Sequence, residues 1–499
     1  MLKKGKVKKE SKLEGLPEYL AHRREKLKKL KEKGLDPYPY KFEKTHSTEE
    51  ILNNFEKLEK EQKEVKIAGR IISLRGHGKS VFFHIQDGYG KIQIYLKSDE
   101  VGKEKFEEFD LFDIGDFIGV VGIVFVTKKG EKSIRASDFV MLSKSLRPLP
   151  EKWHGLQDKE LRYRQRYLDL IVNPEVKKTF LLRTKIIQAM RKFLDDRGFI
   201  EVETPILQPI YGGASARPFK TYHNTLERDL YLRIADELYL KRLLIGGFEK
   251  VYEVCKDFRN EGMDKNHNPE FSMLELYQAY ADYNDIMKLE EELMKFIAQK
   301  VSGKLSFTYQ GDEINLDAEW RRIPILESIK EYAKVDLEKK DEKEIREITK
   351  DLNLSIDEKA NKWKLVDTIF GNLVQPYLVQ PTFITDYPTQ MSPLAKKHRK
   401  KEGLTERFEL FIGGLELGNA FSELNDPLDQ RERFSQQMEL RDLGDEEAQV
   451  TDEDFLRALE HGMPPTGGLG IGIDRVVMLF TDSSSIRDVI FFPQMRPEA

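Results

Sequence analysis

Apolar residues between positions 65 and 142 fall into five short runs, at 65–72, 81–86, 91–96, 116–126 and 134–142, rich in Val, Ile and Phe and separated by Gly88, Gly90, Gly115 and Gly130. Runs of this length bounded by turn residues predict β-strands. A charged stretch at about 103–111 predicts a helix between the third run and the fourth. Further along, the period changes. Leu182, Ile186, Met190 and Phe193 share one helical face, which predicts an amphipathic helix over 179–197 that Gly198 ends. "FIEVETPIL" (199–207) predicts a strand after it. Residues 282–370 read as mostly charged helix. "RFELFIGGLELGNAFSEL" (407–424) alternates apolar and polar positions and predicts a pair of strands. At the start of the chain, Leu16, Leu20, Leu27 and Leu30 recur at helical spacing.

Five strands with one helix after the third is the layout of an OB-fold barrel, a common oligonucleotide binder. An unrelated small β-barrel is the alternative. The proline-punctuated "RPLPEKWHGLQDKE" (147–160) ends this region, and 499 residues leave room for more than one domain. The expected organisation is a basic helical extension at 1–60, the barrel at 61–146, a linker at 147–165 and a larger α+β domain at 166–499 with a helical insertion at about 282–370.

Composition adds exclusions. The chain is 39% hydrophobic and 34% charged with a net charge of −4, as expected of a globular protein. It has no run of 18 apolar residues, so no membrane span is expected. A Lys-rich N-terminus without an apolar core argues against secretion and for the cytoplasm. A single cysteine, Cys255, excludes an internal disulfide and a Cys-based zinc cluster. Positive charge is concentrated in residues 1–33, which hold thirteen Lys/Arg and five Asp/Glu. A solvated amphipathic helix and a nucleic-acid arm both account for it. Two glycine motifs mislead. "GKS" (78–80) lacks the first glycine of a phosphate loop, since position 73 is Ser73. "GGLGIG" (467–472) follows Pro464, Pro465 and Thr466, not the buried strand of a dinucleotide fold.

Three patterns carry candidate chemistry. Arg75, Phe82, Gln93 and Glu131 fall on or beside the barrel strands. An exposed Phe82 with polar neighbours would stack a base, whereas a buried one is core. Glu409, Glu416 and Glu423 recur every seven residues, although surface glutamates are common in so charged a chain. "FRNEGMDKNHNPEF" (258–271) sets Arg259, Glu261 and His267 in a loop with a phenylalanine at each end.

That loop, read on as "FRNEGMDKNHNPEFSMLELY" (258–277), stands between "GFIEVETPIL" (198–207) and "GLGIGIDRVVMLF" (468–480). Together the three resemble motifs 2, 1 and 3 of the class II aminoacyl-tRNA synthetases. "ADELYLKRL" (235–243), "SPLAK" (392–396) and "GNAFSELND" (418–426) narrow the likeness to the bacterial-type lysyl-tRNA synthetases of subclass IIb, over most of residues 60–495. The resemblance implies an α+β fold: an N-terminal OB-fold barrel that binds the anticodon, and a catalytic domain built on an antiparallel sheet flanked by helices. It implies activation of L-lysine with ATP and Mg²⁺ and transfer to tRNA(Lys). It also implies a homodimer through the segment that holds Pro205.

The site residues follow by likeness. Arg259 would bridge the α-phosphate and the lysine carboxylate, a task suited to its rigid fork of donors. Glu261 would accept the adenine amino group, and His267 with Asn268 would meet the outer phosphates and the adenine edge. Phe271 would take one face of the purine; Arg475 would stack on the other and reach the γ-phosphate. Glu409 and Glu416 would hold Mg²⁺, which prefers hard carboxylate and phosphate oxygens. Glu423 with Tyr277 would take the ε-ammonium, Glu237 and the backbone at Gly213 the α-ammonium, and Asn419 the carboxylate, with Glu275 buttressing Tyr277. Arg75, Phe82, Gln93 and Glu131 would read the anticodon. An aspartyl or asparaginyl enzyme of the same subclass, a relative that modifies a translation factor, and a non-catalytic nucleic-acid-binding protein on a synthetase core are the alternatives. The first needs a cation where Glu423 stands, the second lacks a barrel, and the third predicts loss of Arg259 or Arg475.

Overall fold

Glycines and bulges close the first sheet into a barrel. In the computed structural model, which describes residues 17–497 apart from 151–155, 157, 357–359 and 446, the chain divides into two compact units between residues 155 and 156. In the first unit, β1 (Glu64–His77), β2 (Ser80–Gln86), β3 (Lys91–Lys97), β4 (Phe117–Val126) and β5 (Lys132–Ser143) close in the order β1-β2-β3-β5-β4. The helical stretch between β3 and β4, with a turn at Lys103–Glu108, lies where the sequence predicts it. The register shifts at Ile71/Ser73 in β1 and at Val121/Gly122 in β4. Bulges of this kind bend a strand enough for a small sheet to close on itself. At Gly122 a Cβ would lie 2.2 Å from the carbonyl oxygen of Arg135, so only glycine permits the approach of β4 to β5.

Inward residues of these strands, among them Ile67, Phe83, Ile94, Val120 and Ile134, form one core. Leu30 from the helix Glu18–Glu32 and Ile51, Phe55 and Leu58 from two short helices join it. The helical reading of the N-terminal leucines therefore holds for Leu20 and Leu30, which are buried, while Leu16 lies outside the described residues.

The second unit is built on an eight-stranded sheet. Its strands are β6 (Ile200–Glu201), β10 (Lys250–Phe258), β11 (Glu270–Ala279), β14 (Arg321–Pro324), β15 (Thr382–Thr385), β16 (Arg407–Ile412), β17 (Leu415–Ser422) and β18 (Thr466–Gly472), in the order β14-β15-β16-β17-β18-β11-β10-β6. The interior of the sheet is antiparallel, as expected, but the edge pairs β14/β15 and β10/β6 are parallel. A smaller sheet comprises β7 (Leu207–Gln208), β9 (Arg228–Leu232) and β8 (Lys220–His223), and β12 (Ser306–Tyr309) pairs with β13 (Asp312–Asn315). One face of the large sheet, with Leu274, Leu276, Leu469, Ile471, Phe408 and Leu410, is covered by the helices Pro174–Asp195, Tyr283–Ser302 and Ile473–Phe480. The other face carries the cavity described below.

Two predicted elements take a different form. "FIEVETPIL" is not one strand but the two-residue strands β6 and β7, in different sheets. Pro205 offers no N–H, and Thr204 between them gives its N–H and hydroxyl to Glu253 (3.0 and 2.7 Å) instead of to a ladder. Residues 282–370 hold the β12–β13 hairpin and β14 besides their helices, and the helix Tyr283–Ser302 belongs to the main core through Ile286, Leu293 and Ile297. Among the described residues no helix is long and apolar enough to cross a membrane.

Candidate active site

Strands β10 and β11 pair antiparallel up to Phe258 and Glu270, so the charged loop is the turn of a long hairpin. Its neck is closed by the Arg259 N–H donating to the Pro269 carbonyl (2.9 Å). Its tip is ordered by Asp264, whose Oδ1 accepts from the N–H groups of Asn266 and His267 (2.6 and 2.8 Å). An aspartate that ties down the backbone two and three residues ahead favours a turn. Asp474, in the first turn of the helix after β18, accepts from the Ser272 N–H (2.7 Å) and from Arg183 (2.5 Å), which fixes that helix against β11.

Between this hairpin, β17 and β18 lies a cavity of about 370 Å³. Every residue assigned above to ATP, lysine or Mg²⁺ lines it, with the exception of Glu409. Glycine makes the room. On β18, Leu469 and Ile471 point into the core, while Gly468, Gly470 and Gly472 face the cavity. A Cβ at Gly468 would lie 2.0 Å from Glu423 Oε1 and 2.5 Å from the Tyr277 ring. Gly213 has φ +89°, and a Cβ there would meet those of Ala235 and Glu237 at 3.0 and 3.2 Å. The "GGLGIG" run thus serves as a strand with one bare face.

One end of the cavity is cationic. The Arg259 guanidinium lies 5.1 Å from the centre of the Phe271 ring and makes one long hydrogen bond, to the Ile234 carbonyl (3.4 Å). Arg475 donates to the carbonyl and Oε2 of Glu416 (2.9 and 3.1 Å) and lies 3.2 Å from His267 Nε2. His267 in turn holds Asp264 through Nδ1 (2.8 Å). Asn268 is occupied by the chain itself: its amide donates to the Glu270 carbonyl and its oxygen accepts from the Gln494 N–H (2.5 and 3.2 Å). Glu261 lines the cavity at the edge of the loop.

The other end is acidic. Tyr277 donates to Glu275 (2.7 Å), and burial, reinforced by Glu237 and Asp257, pushes the Glu275 carboxyl up to about 8. Glu237 and Glu423 both lie against the ammonium of Lys241, Glu237 Oε1 at 2.5 Å. Lys241 is sealed from solvent; burial disfavours its charge, but the two carboxylates outweigh that and hold its ammonium above the ordinary lysine range. Asn419 accepts from Arg407 Nε (3.0 Å), which leaves its amide hydrogens for the cavity.

Glu409 stands behind this wall, paired with Arg407 (2.5 Å). Burial, with Glu416 and Asp367 nearby, pushes it up to about 7. The seven-residue spacing of the glutamates has a structural cause. Residues seven apart on one strand face opposite ways. Here Gly413–Gly414 turn the chain between Glu409 and Glu416, and a bulge between β16 and β17 brings Glu416, Asn419 and Glu423 to one side.

Sequence reading missed Lys241 and Arg407. Lys241 follows Glu237 by four residues on the helix Glu237–Ile245, a spacing that on sequence alone reads as a surface ion pair. Arg407 precedes Glu409 by two on β16, so the alternation could have placed both on one face.

On the barrel, Phe82 stacks on Tyr95 with ring centres 4.6 Å apart, and Tyr95 leads on to Phe125 at 5.9 Å. Arg75 is exposed and sits opposite Phe82 in the β1–β2 register. Glu131 pairs with His84 (3.0 Å). Gln93 is buried and donates to Ser133 (2.8 Å), so this side chain is engaged within the barrel. Tyr95 and His84 belong to the same surface and went unmarked in the sequence, where Tyr95 reads as one more strand residue.

Residues 158–496 match the family described as tRNA synthetases class II (D, K and N), and residues 65–142 match the OB-fold nucleic acid binding domain. The chain is 58% identical over 483 residues to a lysine–tRNA ligase of Carboxydothermus hydrogenoformans, covering 97% of this chain and 99% of that one. It is 57% identical over 487 residues to the lysine–tRNA ligase of Pelotomaculum thermopropionicum (97% and 96% of the two chains) and 54% identical over 500 residues to that of Clostridium novyi (99% and 97%). With the synthetase family spanning most of the chain and these relatives nearly all of it, the chain belongs to the class II tRNA synthetases, in the lysine–tRNA ligase family.

Proposed function

We propose that the protein is an ATP-dependent lysine–tRNA ligase acting on L-lysine and tRNA(Lys). The observation that carries this is a single cavity with arginines at one end and two glutamates, Glu237 and Glu423, at the other. In the first step an oxygen of the lysine carboxylate attacks the α-phosphorus of ATP and pyrophosphate leaves. In the second, a hydroxyl of the terminal tRNA ribose attacks the carbonyl carbon of the adenylate and AMP leaves. The attacking carboxylate is ionised at neutral pH, so the first step needs no general base. What it needs is alignment of two anions and stabilisation of charge developing at phosphorus. Arg259 is nearly free of internal hydrogen bonds and supplies that donor fork. Arg475 and His267 flank the outer phosphates, Phe271 offers its ring to the purine, and Glu261 accepts from the adenine amino group. Asn268, beside the adenine edge, braces the loop through its side-chain bonds to the Glu270 carbonyl and the Gln494 N–H.

Glu416 and Glu409 suit Mg²⁺: both offer hard oxygen donors, and a cation would offset the burial and the repulsion from Glu416 that raise Glu409. When bound, the ion would neutralise charge on the ATP phosphates. Lys241 is a cation at the amino-acid end, but both its carboxylate partners surround it, so it offers nothing to an aspartate side chain. That favours lysine over the aspartyl alternative. Exposed Ile200, Ile206, Leu207 and Ile210 beside Pro205 support a homodimer through this segment. Anticodon binding falls to Arg75, Phe82, Gln93 and Glu131, and the site of action is the cytoplasm. ATP–pyrophosphate exchange with each of the twenty amino acids tests the reading. Exchange with lysine alone is expected, and stronger exchange with aspartate or asparagine would refute it.

A further inference from the structure

We propose that Lys241 is a positioning residue of the amino-acid pocket, a buried clamp that holds Glu237 and Glu423 at a fixed separation matched to a diamine of lysine length. This rests on the reading of Glu237 and Glu423 as the sites for the α- and ε-ammonium groups. Among the described residues, neither glutamate is anchored by another cation at such range. Glu237 Oε1 lies 2.5 Å from the Lys241 ammonium, and Glu423 meets the same ammonium through Oε2. Oε1 of Glu423 makes no hydrogen bond among the described residues and lies against the bare face of Gly468, beside the Tyr277 ring. The pairing therefore uses one oxygen of each carboxylate.

Three rigid parts set the clamp. Glu237 and Lys241 are one helical turn apart on Glu237–Ile245, so their spacing is that of the helix. Glu423 is pinned at the end of β17 by its N–H donating to the Thr466 carbonyl (2.8 Å). The ring of Phe421 lies 5.5 Å from the Lys241 ammonium. The other charged and titratable groups facing the trio are Glu275 and Tyr277 from β11, Asp236 at the head of the helix and Arg407 from β16. Acids already outnumber cations there, and without Lys241 between them the two carboxylates would repel one another or take up protons. Either response changes the distance that measures the substrate.

The test uses the full chain and pyrophosphate exchange with L-lysine and with L-ornithine, one methylene shorter. Lys241→Met removes the charge at similar length. The clamp predicts a lysine KM raised about a hundredfold, as expected for breaking a buried ion pair, with the ATP KM within about threefold. It also predicts that the lysine-over-ornithine ratio of kcat/KM falls about tenfold, the scale of one methylene in a well-fitted pocket. Lys241→Arg, which can still bridge two carboxylates, should restore part of that ratio. Should Lys241→Met not fold, Lys241→Gln, which keeps a donor, carries the same measurements. An unchanged lysine KM, a tighter one, or equal losses for both amino acids with the ratio intact would each overturn the clamp. Glu423→Gln separates the two readings. If it leaves lysine KM unchanged, the pocket assignment itself fails; if it abolishes lysine use while the Lys241 variants leave the lysine KM and the lysine-over-ornithine ratio unchanged, only the clamp fails.

Discussion

Removing Arg259 separates what it does for the fold from what it does for the reaction. Among the described residues the side chain makes one hydrogen bond of 3.4 Å and a cation–π contact at 5.1 Å with Phe271. A contact of that kind at a half-exposed site is worth about 0.5–1 kcal/mol, and so long a hydrogen bond adds little. Arg259 also opposes the rise of the buried Asp257 carboxyl, which burial pushes up to about 6, so its loss leaves that group easier to protonate but no less buried. Arg259→Ala should therefore cost roughly 1 kcal/mol of stability, a fall of about 1–2 °C in Tm for a domain of this size. Against that stands the loss of a preorganised donor at the reacting phosphate, roughly 3–4 kcal/mol or a factor of several hundred in rate. The assay is lysine-dependent ATP–pyrophosphate exchange beside a thermal melt of the same sample. Arg259→Lys should recover only part of the activity, because a point charge cannot bridge two anions with a rigid fork. Exchange within tenfold of the parent protein would refute the role. So would a large drop in Tm that accounts for the lost activity.

Other outcomes test other parts of the molecule. Phe82→Ala removes one ring of the Phe82–Tyr95 stack and should weaken tRNA binding by roughly 1–3 kcal/mol, lowering aminoacylation while leaving pyrophosphate exchange intact; equal losses in both would make Phe82 a core residue. Gly468→Ala drives a methyl group to 2.0 Å from Glu423 Oε1 and should raise the lysine KM more than the ATP KM, an ordering that steady-state titrations of each substrate check. Glu290 is fully buried beneath Gly418 without a hydrogen-bond partner among the described residues, and burial pushes its carboxyl up to about 8. Its folded value lies above the unfolded one, so its contribution is fully present below about pH 4 and is lost as the pH rises towards 8. Glu290→Met should accordingly gain on the parent protein between pH 5 and 8, by about 3 kcal/mol at pH 7 in denaturant unfolding, and a gain independent of pH would count against it.

The local patterns determined much of this protein. Five apolar runs with turn glycines produce a closed barrel because a small sheet can bury its alternating residues only by curling on itself. The period of Leu182, Ile186, Met190 and Phe193 likewise defines the face of a helix that meets the large sheet. The motifs named residues that one cavity then collects from the hairpin loop at 259–269, β11, β17 and β18. What the chain order does not contain is the neighbourhood of each charge. Glu237 and Lys241 look the same in sequence whether their helix faces water or the floor of a pocket, and only tertiary packing, which brings Glu423 from 182 residues away, makes the pair a buried trio. The same holds for the three glutamates, whose odd spacing suits no single strand until a turn and a bulge are set by pairing with β16. "FIEVETPIL" shows the reverse case: its residues favour a strand, but Pro205 and the hydrogen bonds of Thr204 to Glu253 divide it between two sheets. Propensity and period are properties of neighbours in the chain. Burial, register and the partner of a charge are properties of neighbours in space, and those are decided only when the strands have paired.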